Sequence, residues 1–300
     1  MKLALICFSL LTSLSMSFYV QAKPSAGFTR ETTQRDFKER DEFNQTYQLS
    51  PGARVEVSSI RGSVKITNAD TATAEVQIIR TARTRADLEY HKIEVEQTGN
   101  SLVVRGVQEP EERGRRNVQV NHQVILKLPR SIDLSVTSIS GSVQTADVDG
   151  QLNVSSISGS ARFGNVGGKL EVTSVSGSVD VGNVGADARV NSVSGNVGLG
   201  QVNGSLKVVS VSGGVKAVLV SLSPQGIRIN SVSGSIEIGF KSEVNADFSA
   251  EHISGEVYLD VPNVIRESEE KSSSVRARIG AGGTPITISS VSGNIRLTRS

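Results

Sequence analysis

The sequence lacks several of the residues that specialised sites need. Tryptophan is absent, aromatic residues make up 4% of the chain, and there are 3 histidines and 1 cysteine, Cys7. Zinc sites use clustered cysteines and histidines, and single-stranded nucleic acids stack on aromatic side chains, so neither kind of site is expected. An excess of one charge is also missing, because 32 Lys and Arg stand against 30 Asp and Glu. Nucleic acid is therefore not predicted as a partner, and no cofactor is predicted.

The amino terminus has the organisation of a secretory signal peptide. Lys2 precedes an apolar run over residues 3–14, and Val20-Gln21-Ala22 suits a signal peptidase cutting after Ala22. A transmembrane anchor is the alternative, but the apolar run is shorter than the roughly 20 residues that a bilayer needs. We therefore predict a signal peptide over residues 1–22 and a polar segment over 23–45. The mature chain is predicted to be exported, to the periplasm, the cell surface or the medium, with no integral membrane segment.

The tetrapeptide Ser-Xaa-Ser-Gly recurs along most of the chain. Its glycine returns four times at intervals of 18 residues, then twice after 21 residues and once after 38. A degenerate copy at 59–62 comes earlier, and His252 replaces the first serine of one copy. Repeats at a fixed period indicate a stacked architecture. The repeat glycines are Gly62, Gly141, Gly159, Gly177, Gly195, Gly213, Gly234, Gly255 and Gly293.

Apolar residues keep a fixed register to each glycine, at the positions seven, five and two before it and two and four after it. In the nine copies all of these positions hold an apolar residue or alanine, except Thr145. Alternation of apolar and polar residues is typical of half-buried strands, and glycine permits the sharp corners between them. The sequence predicts an all-β fold, a parallel β-solenoid or β-helix with 18- to 21-residue coils and two short strands per coil. All five apolar columns are expected to face the core, and the repeated serine hydroxyls are expected to bond neighbouring corners.

Two insertions interrupt the repeat within a single predicted solenoid domain over residues 46–300. They cover residues 68–130, with a charged loop at 109–116, and residues 262–285, with a polar run at 267–274. Loops longer than about 12 residues are often functional, so both insertions are candidate binding regions. Within the first insertion, strands are predicted over 74–79, 91–96, 101–107 and 118–128. Charged residues over 30–45 and the carboxyl-terminal residues 296–300 are expected to cover the open ends of the stack.

One column of outward residues is a candidate binding site. The position six before each glycine holds Arg189, Lys207 and Arg228 in three successive copies. Stacked cations of this kind suit an acidic glycan or a phosphate-rich surface. The other outward positions mix signs, which is typical of a solvated wall, and no pair of carboxylates suggests glycoside hydrolysis. A catalytic serine would be unique and have a histidine partner, whereas these serines are repeated. No catalytic or metal-binding residue is predicted, and the protein is not expected to be an enzyme.

Several segments resemble one bacterial family. They are Leu49-Ser50-Pro51-Gly52, Val55-Glu56-Val57, Gly62-Ser63-Val64-Lys65-Ile66, Leu128-Pro129 and the repeated Ser-Gly-Ser-Val corners. Over most of residues 40–300 the chain is similar to the bacterial putative-adhesin family of unknown function, whose β-helix resembles the head domains of auto-transporter adhesins. The resemblance implies an exported, envelope-associated β-helix and supplies no catalytic residues.

Three functions stay open at this point. The first is an adhesin-like binding or scaffold protein of the envelope, whose partner is a glycan or another envelope protein. The second is a sensor partner of a membrane protein in an envelope-stress system, a link that some relatives imply. The third is a polysaccharide-active β-helix enzyme, which the mixed outward charges disfavour.

Overall fold

The computed structural model describes residues 39–108, 120–267 and 273–300. The predicted signal peptide, most of the polar segment over 23–45 and the charged loop at 109–116 lie outside the described residues, as does most of the polar run at 267–274. Within the described part nearly all regular structure is β-strand, so the prediction of an all-β fold is confirmed. One short helix, α1 (Arg85–Tyr90), is capped by Thr84, whose hydroxyl accepts from the Asp87 amide at 3.2 Å. None of the described helical structure is long and apolar enough to cross a membrane.

From Gly141 onward the strands follow the repeat, with a longer strand before each repeat glycine and a shorter one after it, while Gly62 lies within one long strand. In chain order they are β1 (Glu39–Gln48), β2 (Ala53–Ala69), β3 (Thr73–Ala82), β4 (His91–Thr98), β5 (Ser101–Gln108), β6 (Val120–Pro129), β7 (Ile132–Ser140), β8 (Val143–Thr145), β9 (Leu152–Ser158), β10 (Ala161–Phe163), β11 (Leu170–Ser176), β12 (Val179–Val181), β13 (Ala188–Ser194), β14 (Val197–Val202), β15 (Leu206–Ser212), β16 (Val215–Leu219), β17 (Ile227–Ser233), β18 (Ile236–Phe240), β19 (Ala246–Ser254), β20 (Val257–Asp260), β21 (Val264–Arg266), β22 (Ser274–Ile279), β23 (Thr284–Ser292) and β24 (Ile295–Arg299).

Equivalent strands of successive copies pair in parallel and form two faces. The strands before the glycines, β7, β9, β11, β13, β15 and β17, form what we call sheet 1, and those after them, β8, β10, β12, β14, β16 and β18, form sheet 2. Leu170 pairs with Ala188 and Val172 with Val190, so like positions lie side by side. The stacked side chains form one core that runs between the two sheets. Because each coil alone leaves its apolar face open, its stability comes from its neighbours.

The repeat glycines form the corners between the two sheets. Gly177 has φ 112°, a conformation that side-chain-bearing residues rarely adopt. A Cβ atom at this position would also overlap the carbonyl oxygen of Gly159 in the adjacent coil. The opposite corner is held by polar side chains, since Asn165 Oδ1 accepts from the Asn183 amide at 3.0 Å and Asn183 Oδ1 from the Gln201 amide at 3.0 Å. Both corners therefore fix the close spacing of coils.

The expectation that all five apolar columns face the core is wrong for one of them. From Gly159 onward, the residue two before the glycine points outward, as Val175 does with 46% of its surface exposed, whereas Ile60, two before Gly62, is fully buried where the register of β2 shifts. The residue three before the glycine, Ser174 in this copy, is the buried one. The reason is that strict alternation continues through the whole seven-residue strand, so Leu170, Val172 and Ser174 share the inner face.

The stack does not follow chain order at its carboxyl-terminal end. Strand β23 pairs with β17 on one side and β19 on the other, and β24 lies between β18 and β20. The coil of Gly293, the last of the chain, therefore lies between the coils of Gly234 and Gly255. The expectation that residues 296–300 cover the open end is wrong, because most of these residues belong to an internal strand. Strands β22 and β21 instead extend sheet 1 beyond β19 with antiparallel pairing.

The first insertion closes the other end of the stack. Its predicted strands are confirmed as β3 to β6, with residues 118–119 outside the described part. Strand β2 spans both sheets and pairs in parallel with β5 and β6 on the side away from β7 and β8. Antiparallel strands continue both sheets at this end. In sheet 1, β4 pairs with β5; in sheet 2, β3 pairs with β6, and β1 pairs with the other edge of β3. Strand β1 begins at Glu39, inside the polar segment predicted over residues 23–45.

Candidate functional site

The three predicted basic residues lie directly beside one another on sheet 1. Arg189 pairs with Lys207 across β13 and β15, and Lys207 pairs with Arg228 across β15 and β17. Each follows the first buried residue of its strand, so alternation turns all three side chains to solvent. Neighbouring strands lie about 4.8 Å apart, which sets the spacing of the cations along the stack. We call these three residues the basic column.

The basic column lines an open groove of about 540 Å³ at the start of the sheet 1 strands. The groove also contains Lys169, Glu171 and Asp187. The amide and hydroxyl of Ser205 both donate to Asp187 Oδ1 at 2.8 Å. These two bonds, followed by the charge of Lys169, lower the pKa of Asp187 below its usual value. Asp187 is thus hydrogen-bonded to the next coil, and the groove keeps an excess of positive charge.

The basic column differs from the outer face of sheet 2 in its ion pairing. None of the three forms an ion pair with any residue in the described ranges. On the outer face of sheet 2 the situation differs, since Arg162 lies 3.8 Å from Asp180 and Lys216 lies 3.1 Å from Glu237. Among the described residues the basic column therefore forms no ion pair, although Glu171 lies across from Arg189 on the neighbouring strand.

A second feature of the outer face of sheet 1 is a row of exposed apolar side chains that the sequence had placed in the core. The outward residues two before the glycines from Gly159 to Gly234, together with the one before Gly293, form a continuous row of branched apolar side chains on adjacent strands, each about half exposed. We call this row the apolar ladder; its members are Ile157, Val175, Val193, Val211, Val232 and Val291, and the more exposed Ile253 continues the row on β19. The signal was present in the sequence, because continuing the alternation from the buried positions seven and five before the glycine places the residue two before it outside. The apolar character of this column hid that consequence.

The repeated serines do not behave as expected. The hydroxyls of the inner serines have no hydrogen-bond partner among the residues that the structure describes. They belong to Ser138, Ser174, Ser192, Ser210, Ser231 and Ser290. The prediction that these hydroxyls bond neighbouring corners is wrong, because the side chains point into the apolar interior, away from the backbone of the corner.

Two buried histidines lie at the end closed by the first insertion. The His91 and His122 rings are 6.3 Å apart at their centroids, and neither nitrogen of His122 has a partner within the described ranges. Burial, followed by the charges of His91 and Arg80, lowers the pKa of His122 to about 4. Burial also lowers the pKa of His91. No group of three or more potential metal ligands occurs in the part of the chain that the structure describes.

The chain matches one protein family and aligns with several solved structures. The family profile described as Toastrack DUF4097 matches residues 53–298. Among solved structures, a "putative adhesin" from Bacteroides fragilis aligns with 12% identity and a TM-score of 0.46, over 86% of this chain and 97% of its own. Another from Parabacteroides distasonis aligns with 11% identity and a TM-score of 0.45, over the same shares of the two chains. No curated protein matches the chain significantly.

Proposed function

This chain belongs to the Toastrack DUF4097 family, and because its basic column forms no ion pair among the described residues, we propose that it is a non-catalytic, adhesin-like binding protein of the bacterial envelope. Its ligand is an acidic glycan, held along the stack by Arg189, Lys207 and Arg228. The scaffold in this proposal is a parallel β-solenoid of 18- to 21-residue coils, each with two short strands, over residues 46–300. Residues 1–22 act as a signal peptide that exports the chain to the periplasm, the cell surface or the medium.

The regular spacing of the basic column supports a linear acidic polymer as the ligand. Three cations in a row about 4.8 Å apart favour a chain of anionic groups over a single compact anion. The pairing of Arg162 with Asp180 and of Lys216 with Glu237 makes the outer face of sheet 2 a poorer anion site. Binding between exposed charges is screened by salt, so the affinity should fall as ionic strength rises.

A charge-reversal experiment tests this site. The triple variant R189E/K207E/R228E is compared with the unaltered protein for binding to polygalacturonate by calorimetry at low and physiological salt. We expect the variant to lose at least tenfold in affinity, because attraction becomes repulsion at three adjacent positions. The matched control is R162E/K216E, which reverses cations on the opposite face. Equal affinity for all three proteins, or no binding by the unaltered protein, would remove the basic column as a site for acidic glycans.

The non-catalytic part of the proposal has its own test. Incubation with neutral and acidic polysaccharides should release no new reducing or unsaturated ends. Turnover that survives purification, and that disappears on substitution of an acidic residue of the groove such as Glu171, would favour the polysaccharide-active alternative instead.

Export is tested by cell fractionation, which should recover the mature chain beginning at Lys23 outside the cytoplasm. An uncut amino terminus in the membrane fraction would contradict it.

A further inference from the structure

We propose that the outer face of sheet 1 binds an amphipathic α-helix of a partner protein, with the apolar stripe of the helix on the apolar ladder and acidic residues on its flank against the basic column. The proposal rests on the proposed function in one respect, since it uses the same cations. It adds a class of partner and a second binding surface. Three parallel rows of side chains on this face have the spacing, exposure and charge that such a helix needs.

The apolar ladder is long and continuous enough to seat a helix. Its six members lie on strands that are consecutive neighbours in the sheet, β9, β11, β13, β15, β17 and β23, and each is 44–55% exposed. Five steps of about 4.8 Å make a row of about 24 Å. A helix rises 1.5 Å per residue, so about 16 residues would cover it. Single exposed valines need no explanation, but a contiguous row of them marks an interaction surface.

A shallow trough lies beside the ladder, towards the basic column. The row between them, four residues before the glycines, carries short side chains over the coils of the basic column, where the register places Thr173, Asn191, Val209 and Asn230 next to one another. At the carboxyl-terminal end this trough is a groove of about 620 Å³, where Val211, Val232 and Val291 are joined by the longer Glu251 and Arg276. The ladder forms one side of the trough and the long basic side chains form the other.

The width of the trough matches a helix. The basic column and the ladder are four residues apart along each strand, which is about 13 Å at 3.3 Å per residue. An α-helix with its side chains is about 10–12 Å across. Arg189 lies on the same strand as Val193, Lys207 on that of Val211, and Arg228 on that of Val232. A helix in the trough would therefore contact both rows over the same three coils.

Charge and shape favour this occupant over two others. A second copy of the chain, packed ladder to ladder about an axis along the strands, would place the basic column against itself. A bilayer would need apolar groups that penetrate about 5–10 Å, whereas these valines are half covered and stand beside long cationic side chains. A helix with an acidic flank satisfies both rows, which is the usual mode of recognition by helix-binding grooves.

The test uses a displayed library of helical peptides of about 16 residues, a length set by the helical rise. The apolar stripe is fixed as leucine and the flanking positions vary among Glu, Gln and Lys. Selection on the full mature protein should enrich glutamate on one flank. The best binder should lose about tenfold in affinity for the V193S/V211S variant, since two exposed apolar contacts are removed. The control I265S alters an exposed apolar residue on β21 and should not change binding; circular dichroism checks that every variant is folded.

Each outcome separates this inference from the proposed function. If polygalacturonate binds but no helix is enriched, or lysine is enriched, the helix proposal is overturned while the glycan site stands. If helices bind through the ladder and polygalacturonate does not bind, the glycan proposal fails alone. Ladder-dependent binding to phosphatidylglycerol vesicles, without enrichment of helices, would make this face a membrane surface and also overturn the helix proposal.

Discussion

Alanine at Gly177 should destabilise the stack strongly, through two effects that the structure allows to be separated. The first is dihedral strain, because φ is 112° at this corner. A side-chain-bearing residue held in such a region costs about 1–3 kcal/mol. The second is an overlap of the new Cβ with the carbonyl oxygen of Gly159 in the adjacent coil. Relief would require the coils to separate, at a cost of about 1–3 kcal/mol more, as in overpacked cores.

Two other glycines provide matched controls. Gly283 has almost the same φ, 113°, but nothing lies within 4 Å of a Cβ placed there, so Gly283→Ala tests dihedral strain alone. Gly214 has no positive φ and its nearest atoms lie at 3.5 and 3.6 Å, so Gly214→Ala should change stability by no more than about 0.5 kcal/mol. The free energy of unfolding is measured by urea titration with two spectroscopic probes. If Gly177→Ala costs no more than Gly283→Ala, close packing between coils does not select glycine at the corner.

Two further predictions concern buried polar groups. The pKa of His122 is lowered from 6.5 to about 4 in the folded protein, so its neutral ring contributes stability that is fully present above pH 6.5 and is lost as the pH falls towards 4. In urea titrations at pH 4 this group should account for a loss of about 3 kcal/mol, which His122→Leu should remove while the acid loss from His91 and Asp187 remains; an unchanged pH dependence in that variant would contradict the assignment. Ser192→Ala should raise stability by about 1 kcal/mol, because it removes a buried hydroxyl without a partner, while the exposed Ser194→Ala should be neutral. Destabilisation by Ser192→Ala of more than about 1 kcal/mol would show that the hydroxyl is bonded after all.

Much of the fold could be predicted because the repeat is local in sequence. The period of the glycines fixed the coil length, and the register of Arg189, Lys207 and Arg228 to those glycines placed the three cations side by side. In the first insertion, alternation alone located the strands to within a few residues. These features follow from side-chain direction along a strand and from steric limits at corners, both of which act over a few residues.

The apolar ladder could have been found but was hidden by composition. Val175 and its equivalents are apolar, and Ser174 and its equivalents are polar, so counting hydrophobic residues assigns their directions wrongly. Geometry prevails over composition here because a paired strand cannot change the face of one residue without a bulge. The buried hydroxyl of Ser174 is tolerated because the parallel pairing of β11 with β13 holds the backbone on either side of it in place.

The sequence by itself determined the β class, the coil length, the corners and the basic column, because each depends on neighbours within one coil. Only the tertiary structure decided that the last coil lies between those of Gly234 and Gly255, and that the first insertion closes one end of the stack. Every coil offers nearly the same edge to the next, so the local pattern cannot specify which coil is its partner. That order is set by long-range pairing, in which the connections and the antiparallel end strands select one arrangement among similar ones.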